Sequence, residues 1–411
     1  MIFAIEDWAI GRPMWLTQRT MERFEFNSRS RRIKRYLGIT MGRPFVGPQV
    51  VSLETTHHCN LRCSFCESHG LLLEKPITAT RTYVGDKKKM DVDTIRRLAG
   101  ELAEVGTDLV ELSGKGDPIA HPQLTEIVRA IKEAGLACAL VTNGTLAKPD
   151  LAGTLIECGL DRLSVSLNSG TREAFLRSNH RDLWDKAIGF LTEVLERRKQ
   201  AGARRPWVRI THVVSKENVD TMDQMVQVPA DLGVDEVVFY VMGELTHTRH
   251  LQLDDDEIRT VRSNISRYAG ILDKAGVAHR IGVFGADLAA RGVRSGKIQK
   301  NPLQKKLPCY EGWMFCVIGP DGQVVPCCYC EELVLGNIHE KSFGEIWFGE
   351  AYKQYRKDSL DMPKTGRWIC KECFTSCNRA VENLRIYNRT HPYKKIGLEE
   401  SVPEPVAAGE S

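Results

Sequence analysis

The sequence predicts an α/β protein with a parallel sheet and a small cysteine-rich C-terminal domain, and three observations carry that expectation. Short apolar runs alternate with amphipathic stretches through the middle of the chain, which makes strands and helices follow one another and the strands pair in parallel. At 411 residues the chain exceeds one average domain and suits a large α/β domain plus a smaller one. The 13 cysteines fall in two groups, 59–66 and 309–377, with Cys138 and Cys158 apart as core residues of a strand and a helix.

The elements follow in order. A first helix carries Arg29, Arg31, Arg32, Lys34 and Arg35; this basic run reads as a solvated face, the alternative being an anion or nucleic-acid contact. Strands are expected over 51–55, 109–113, 138–142, 163–167, 208–214 and 236–241. Helices are expected over 92–105, 123–134, 150–158, 182–201, 219–232 and 254–275. Six strand–helix units with right-handed crossovers are two short of a full barrel. In such folds chemistry gathers at the carboxyl ends of the strands. Pro320-Asp321-Gly322-Gln323-Val324 reads as a hairpin about an Asp-Gly turn, and 342–347 as a short helix. The stretch 399–411 is rich in Glu, Pro, Ala and Gly and reads as a disordered tail.

Composition narrows the class. Hydrophobic content of 42% and charged content of 27% are those of a soluble globular protein, and a net charge of +4 says little about partners. No apolar run approaches the length of a membrane span. The opening Met1-Ile2-Phe3-Ala4-Ile5-Glu6-Asp7 places acids where an export signal needs bases. The expectation is a cytoplasmic protein, with no nucleic-acid or membrane partner, whose thiols serve metal ligation rather than disulfides.

Cys59, Cys63 and Cys66 form C-x3-C-x2-C just after the first strand. Three thiolates on one loop can hold three irons of a [4Fe-4S] cube and leave the fourth open to an outside ligand. The alternative is a zinc knuckle, although zinc sites want four protein ligands. The spacing resembles the signature of the radical S-adenosylmethionine (SAM) superfamily. That resemblance implies an open partial (β/α)6 barrel, a [4Fe-4S] cluster whose open iron is chelated by SAM, and reductive cleavage to a 5′-deoxyadenosyl radical. It also implies that Phe65 lies against adenine. In the turn Ser113-Gly114-Lys115-Gly116-Asp117-Pro118 the backbone at Gly114, Gly116 and Asp117 would bind the SAM amino group; here Asp117 stands where the family usually has glutamate, and Lys115 where it often has glycine. Asn143 of Thr142-Asn143-Gly144 would sit near the ribose, the alternative being an ordinary Asn-Gly turn. Ser166, in a stretch resembling Ser-Leu-Asp-Gly but with Asn168 for the aspartate, would meet the SAM carboxylate. Arg209, sharing a strand face with Thr211 and Val213 by the two-residue period, is either a carboxylate clamp or a surface arginine. On the opposite face His212 reads as a core histidine. Tyr240 and Glu244 are further candidates beyond the sixth strand.

The second cysteine group holds Cys309, Cys316, Cys327, Cys328, Cys330, Cys370, Cys373 and Cys377. Cys309-x12-Gly322-x4-Cys327 resembles the opening of the SPASM and Twitch auxiliary-cluster domains of some radical SAM enzymes, and Cys370-x2-Cys373 supplies a second pair. Cys309, Cys327, Cys370 and Cys373 would thus close at least one auxiliary [4Fe-4S] cluster. The C-x2-C-x3-C ending falls short of the full two-cluster SPASM pattern and leans toward the one-cluster Twitch form. Cys316, Cys328, Cys330 and Cys377 are left as substitutes or as parts of another cluster. The rival is a zinc ribbon built on Cys327-x2-Cys330 and Cys370-x2-Cys373. The domains expected are a helical extension over 1–48, the radical SAM barrel over 49–280, the auxiliary domain over 281–398 and the tail over 399–411.

The expected activity is that of a radical SAM oxidoreductase. It would abstract hydrogen from a small polar substrate, such as a sugar, an aminocyclitol or a natural-product precursor, and pass the remaining electron to the auxiliary cluster. The alternatives are a peptide or protein maturase and a non-enzymatic iron–sulfur or zinc protein. An external one-electron donor such as flavodoxin or ferredoxin is implied.

Overall fold

The computed structural model describes residues 28–70, 89–243, 246–291, 306–328, 330–365 and 380–396. Its frame is a single open sheet of mixed direction. Strands β1 (Val50–Leu53), β2 (Leu109–Leu112), β3 (Ala137–Thr142), β4 (Arg162–Ser166), β5 (Trp207–Val214), β6 (Glu236–Val241) and β7 (Ala278–His279) lie side by side in chain order. All are parallel, in registers such as Val51↔Val110 and Ile210↔Val237. On the far edge of β1 comes β8 (Phe315–Ile318), parallel to it, and then β9 (Gln323–Val325) and β10 (Gly336–Asn337), both antiparallel. The sheet therefore runs on unbroken from the strand–helix units into the C-terminal hairpin. No sequence pattern foretold that β8 would join β1, because pairing between segments so far apart leaves no local trace.

The six strands stand within about a residue or two of their expected positions, since each is an apolar run bounded by turn residues. The helices between them are α2 (Val92–Glu104), α3 (Leu124–Glu133), α4 (Leu151–Glu157), α6 (Trp184–Gln200) and α7 (Met222–Leu232), numbered after α1 (Arg29–Thr40). Two differences have local causes. A helix over Arg172–Asn179, α5, precedes α6; its Thr171 cap accepts from Ala174 N, but its polar surface gave no period to read. The long helix expected over 254–275 breaks at Asn264 into α8 (Asp255–Ser263) and α9 (Ile265–Ala275), where the Asn264 amide donates to Thr260 O. Then follow α10 (Ile281–Arg291), α11 (Glu311–Met314), α12 (Phe343–Trp347), α13 (Glu350–Thr365) and α14 (Ala380–Thr390).

One face of the sheet is sealed by helices. Val51, Leu53, Val110, Leu112, Cys138, Leu140, Leu163, Ile210 and Val237 join helix residues in one core. The other face is polar above a small apolar layer of Val50, Leu109, Ala137 and Ala139. There Arg162 pairs with Glu111 at 2.7 Å, Arg209 with Glu236 at 2.7 Å, and Ser52 with Ser113 at 2.8 Å. A packed barrel fills this space with branched apolar side chains, so a polar face indicates a chamber rather than a core.

The N-terminal helix is anchored through its basic run. Arg35, 2% exposed, pairs with Asp108 and donates to the carbonyls of Gly47, Pro48 and Gly106. Arg31 adds bonds to Asp108 and Thr107 O. Two of the five basic residues are thus structural rather than part of a solvated face. The C-terminal elements are held against the same region, through Trp347 Nε1 to Val46 O and Arg97 to Ile338 O.

His212 faces the helices on β5, fully buried and stacked on Phe239 at 5.2 Å, a core histidine as its position implied. Burial pulls its pKa from 6.5 down to about 3. The unfolded chain takes a proton there below 6.5 and the folded protein does not until about 3, so stability is lost as pH falls through that window. We expect wild type to lose about 2 kcal/mol between pH 6.5 and 5 from this residue, and His212→Leu to lack that component. Denaturant titrations at both pH values check this; an equal acid-side loss in the two proteins would refute it.

Candidate active site

The three-cysteine loop leaves the carboxyl end of β1. Its backbone turns so that amide groups meet sulfur: Leu61 N donates to Cys59 Sγ at 3.5 Å, and Ser68 N and His69 N donate to Cys66 Sγ at 3.4 and 3.3 Å. Such donors stabilise thiolates and tune a cluster bound to them. Without a metal, burial opposes ionisation. It pushes Cys59 up to about 11, Cys63 well above the usual thiol range, and Cys66 upward too. Sulfurs aimed at by N–H groups in a pocket that disfavours lone thiolates fit a site completed by a cation. Among the described residues no three His, Cys, Asp or Glu converge on one point as a single ion requires. A cube would take one iron per thiolate from these three cysteines.

Residues far along the chain brace this loop. Ser64 N donates to Ser178 O at 2.9 Å, and the Ser64 hydroxyl bonds His180 Nε2 at 2.8 Å and Glu217 Oε1 at 3.0 Å. The Cys63 thiol donates to Asn179 Oδ1 at 3.0 Å. The end of α5 thus serves as the loop's backing plate. Sequence reasoning missed Ser64, Asn179, His180 and Glu217, since nothing in their local pattern distinguishes them from surface residues.

The turn after β2 packs directly on the loop. A Cβ at Gly116 would lie 2.4 Å from Thr56 O and 2.7 Å from His57 C, and one at Gly114, φ +123°, would strike the Glu54 side chain. Gly116 is required by contact with the protein's own backbone and Gly114 by its positive φ and the Glu54 side chain, beyond any approach to a ligand. Asp117 N donates to His58 O at 2.8 Å. The Asp117 carboxylate accepts from Thr142 Oγ1, Asn143 N and Ile119 N, all within 2.9 Å, and is buried. It clamps the turns after β2 and β3 together, so its side chain is spent on structure and only its backbone faces the loop. We expect Gly116→Ala to cost about 1–3 kcal/mol by overpacking and to reduce iron retention at this loop. Iron analysis beside thermal unfolding checks this, and a fully loaded, equally stable variant would contradict it.

Asn143 stands at the Asn-Gly turn and also braces the loop. Its amide donates to Asn60 Oδ1 at 3.2 Å and reaches Cys59 Sγ at 3.8 Å, while its oxygen accepts from Thr145. Ser166 lies part-exposed at the end of β4, in register with Thr211. Phe65 is part-exposed between Ser64 and Cys66. Asn168, φ +55°, accepts from Val213 N and ties β4 to β5. Arg209, read as a carboxylate clamp or a surface arginine, is part-buried and donates two bonds to Glu236, which also accepts from Trp207 Nε1 at 3.2 Å. The sequence showed the strand face of Arg209 but not that its register partner on the neighbouring strand β6 would be an acid that pairs with it. Tyr240 is exposed on β6, and Glu244 lies outside the described residues.

The second cysteine group has its own centre. Cys309 Sγ lies 3.8 Å from the Tyr355 hydroxyl, and Cys330 N donates to Cys327 O at 3.0 Å. Burial first, then the proximity of Cys309, Cys327 and Cys330, holds the Tyr355 hydroxyl well above its ordinary range. These three thiols therefore share one neighbourhood. Cys316 does not belong to it: fully buried on β8, it joins the main core and sits by Tyr352 and Arg356. Cys328 is exposed. Cys370, Cys373 and Cys377 lie outside the described residues. Cys138 and Cys158 are buried core residues, as expected.

Comparison with known proteins agrees with this arrangement. A family model of the radical SAM superfamily matches residues 53–229, and one of an iron–sulfur cluster-binding domain, SPASM, matches residues 309–374. The AdoMet-dependent heme synthase of Methanosarcina barkeri is 26% identical over 84% of this chain and 96% of its own. The PqqA peptide cyclase of Ruegeria pomeroyi is 27% identical over 79% of each chain. The crystal structure of Streptococcus suis SuiB bound to precursor peptide SuiA superposes with a TM-score of 0.57 at 14% identity, covering 86% of this chain and 75% of that one; it shares the fold. The two domain matches imply SAM and [4Fe-4S] clusters, including an auxiliary one. Among the described residues no helix is long and apolar enough to cross a membrane. The chain is a radical SAM enzyme with a C-terminal SPASM domain.

Proposed function

We propose that this enzyme modifies a peptide or protein by hydrogen abstraction, with the electron left on the substrate passing to an auxiliary cluster in the SPASM domain. The observation that carries the radical chemistry is the loop of Cys59, Cys63 and Cys66 with amide groups aimed at its sulfurs. Those thiols would hold a [4Fe-4S] cluster that, with SAM bound, supplies a 5′-deoxyadenosyl radical. The protein's own residues do the rest. The backbone of Gly114, Gly116 and Asp117 holds the SAM amino group, Ser166 meets its carboxylate, Asn143 its ribose and Phe65 its adenine. Arg209, paired to Glu236, lines the floor of the chamber instead of gripping SAM. Residues 49–280 serve as the barrel and 281–398 as the auxiliary domain. A flavodoxin or ferredoxin of the cytoplasm supplies the electron.

Support for the peptide substrate comes from the likeness to a protein named PqqA peptide cyclase. The second reading, an oxidoreductase of a small polar metabolite, draws on the likeness to a heme synthase that aligns along 96% of its length. One experiment separates them. Extract of the source organism grown in heavy water is split by size into peptide and small-molecule fractions, and each is given to cluster-loaded enzyme with unlabelled SAM. Deuterium in 5′-deoxyadenosine is expected with the peptide fraction. Transfer from the small-molecule fraction alone would replace the peptide reading with the second one.

A further inference from the structure

Lys115 occupies the middle of the glycine turn that packs on the cysteine loop, yet its side chain leaves that site. The Lys115 ammonium, 6% exposed, meets Glu331 Oε2 at 2.5 Å. Glu331 follows Cys330 directly, and Cys330 N is bonded to Cys327 O. On the other side, Gly116 abuts Thr56, His57 and His58, and Asp117 N bonds His58 O beside Cys59. A continuous series of close contacts therefore runs from Cys59 through 115–117 to Cys327.

We propose that Lys115 is a positioning residue that couples SAM binding to the order of the auxiliary cysteine loop, each being tighter when the other is in place. This rests on the reading that the 114–117 turn binds SAM and that the 327–330 loop helps hold a cluster. A buried ammonium cannot part from its carboxylate without heavy penalty, so the turn and the loop move as one body. A turn held by SAM then holds the loop, and coupling of this kind is reciprocal: the factor by which SAM orders the loop equals the factor by which the loop tightens SAM.

Hydrogen–deuterium exchange on the cluster-loaded enzyme, with and without SAM, tests the coupling without reference to turnover. In wild type, SAM should slow exchange of peptides spanning 330–335 about tenfold. Glu331→Gln, a near-isosteric change at a part-exposed site that should leave the fold intact, should abolish that protection and weaken SAM binding about tenfold. Lys115→Met should behave alike. The charge reversal Lys115→Glu with Glu331→Lys should recover both effects, which a mere packing role would not. Wild-type protection persisting in Glu331→Gln, or SAM binding to wild type with no protection of the loop, overturns the coupling while leaving the SAM site standing. Failure of wild type to bind SAM overturns both.

Discussion

Replacing Cys59, Cys63 and Cys66 together by alanine should reduce 5′-deoxyadenosine release, measured anaerobically with dithionite and SAM, to background. Wild type should release it even without substrate, because cleavage needs only the open iron and an electron. The size of the effect follows from the ligand arithmetic. A cube held by three thiolates has no protein ligand left when all three are gone. The fold should survive. Cys59 and Cys63 pack against the core only at its margin, while Ser64, Asn60 and Gly70 keep their backbone and side-chain bonds. The expected cost is about 1–2 kcal/mol, visible as a modest fall in the unfolding midpoint. Undiminished 5′-deoxyadenosine from a folded triple variant would remove the radical chemistry from this loop and with it the proposed function.

How much of this was legible in the sequence depended on the range of the physics involved. The strands and most helices were readable because an apolar run or a 3.6-residue period is written within ten or so residues. The cysteine spacing was readable for the same reason: a cube demands its ligands on one short loop. The turns at Gly114 and Asn143 were placed by topology, since parallel strands put their following turns on one rim. What escaped was whatever two distant segments settle between them. Arg209 could be put on the correct strand face, but its neutralisation by Glu236 depends on the register between β5 and β6. The backbone of Asp117 could be placed at the rim, but not that its carboxylate would clamp two turns together, because Thr142 and the Asn143 amide reach it from the end of another strand. Ser64, His180 and Glu217 meet only after the whole of α5 has docked. Cys316 matched the cysteine count of an auxiliary site, but the pairing of β8 with β1 turns its thiol into the core.

That last point sharpens the prediction for the SPASM domain. A closed cube takes four thiolates, and six cysteines compete once buried Cys316 and exposed Cys328 are set aside: Cys309, Cys327 and Cys330, which lie near Tyr355, and Cys370, Cys373 and Cys377, which lie outside the described residues. With Cys316 in the core, seven thiols of this group remain, one short of the eight that two closed four-thiolate cubes require. Wild type should therefore carry about eight irons and the triple variant of the first loop about four. Replacing Cys370 and Cys373 should leave about four irons, all at the first loop. It should abolish product while SAM cleavage largely persists, since cleavage draws its electron from outside and only the substrate's oxidation needs the second cluster. Cys330→Ala decides between the two ways of completing the set. If Cys330 is a ligand beside Cys309 and Cys327, its loss should empty the auxiliary site as fully as the paired replacement; if the four are Cys309, Cys327, Cys370 and Cys373, auxiliary iron should remain. A zinc ribbon would declare itself differently. The triple variant would then hold one zinc, supplied by paired knuckles that include Cys330, with no broad visible absorption. That result would strip the auxiliary site of any electron to accept and leave the first loop as the protein's sole redox centre.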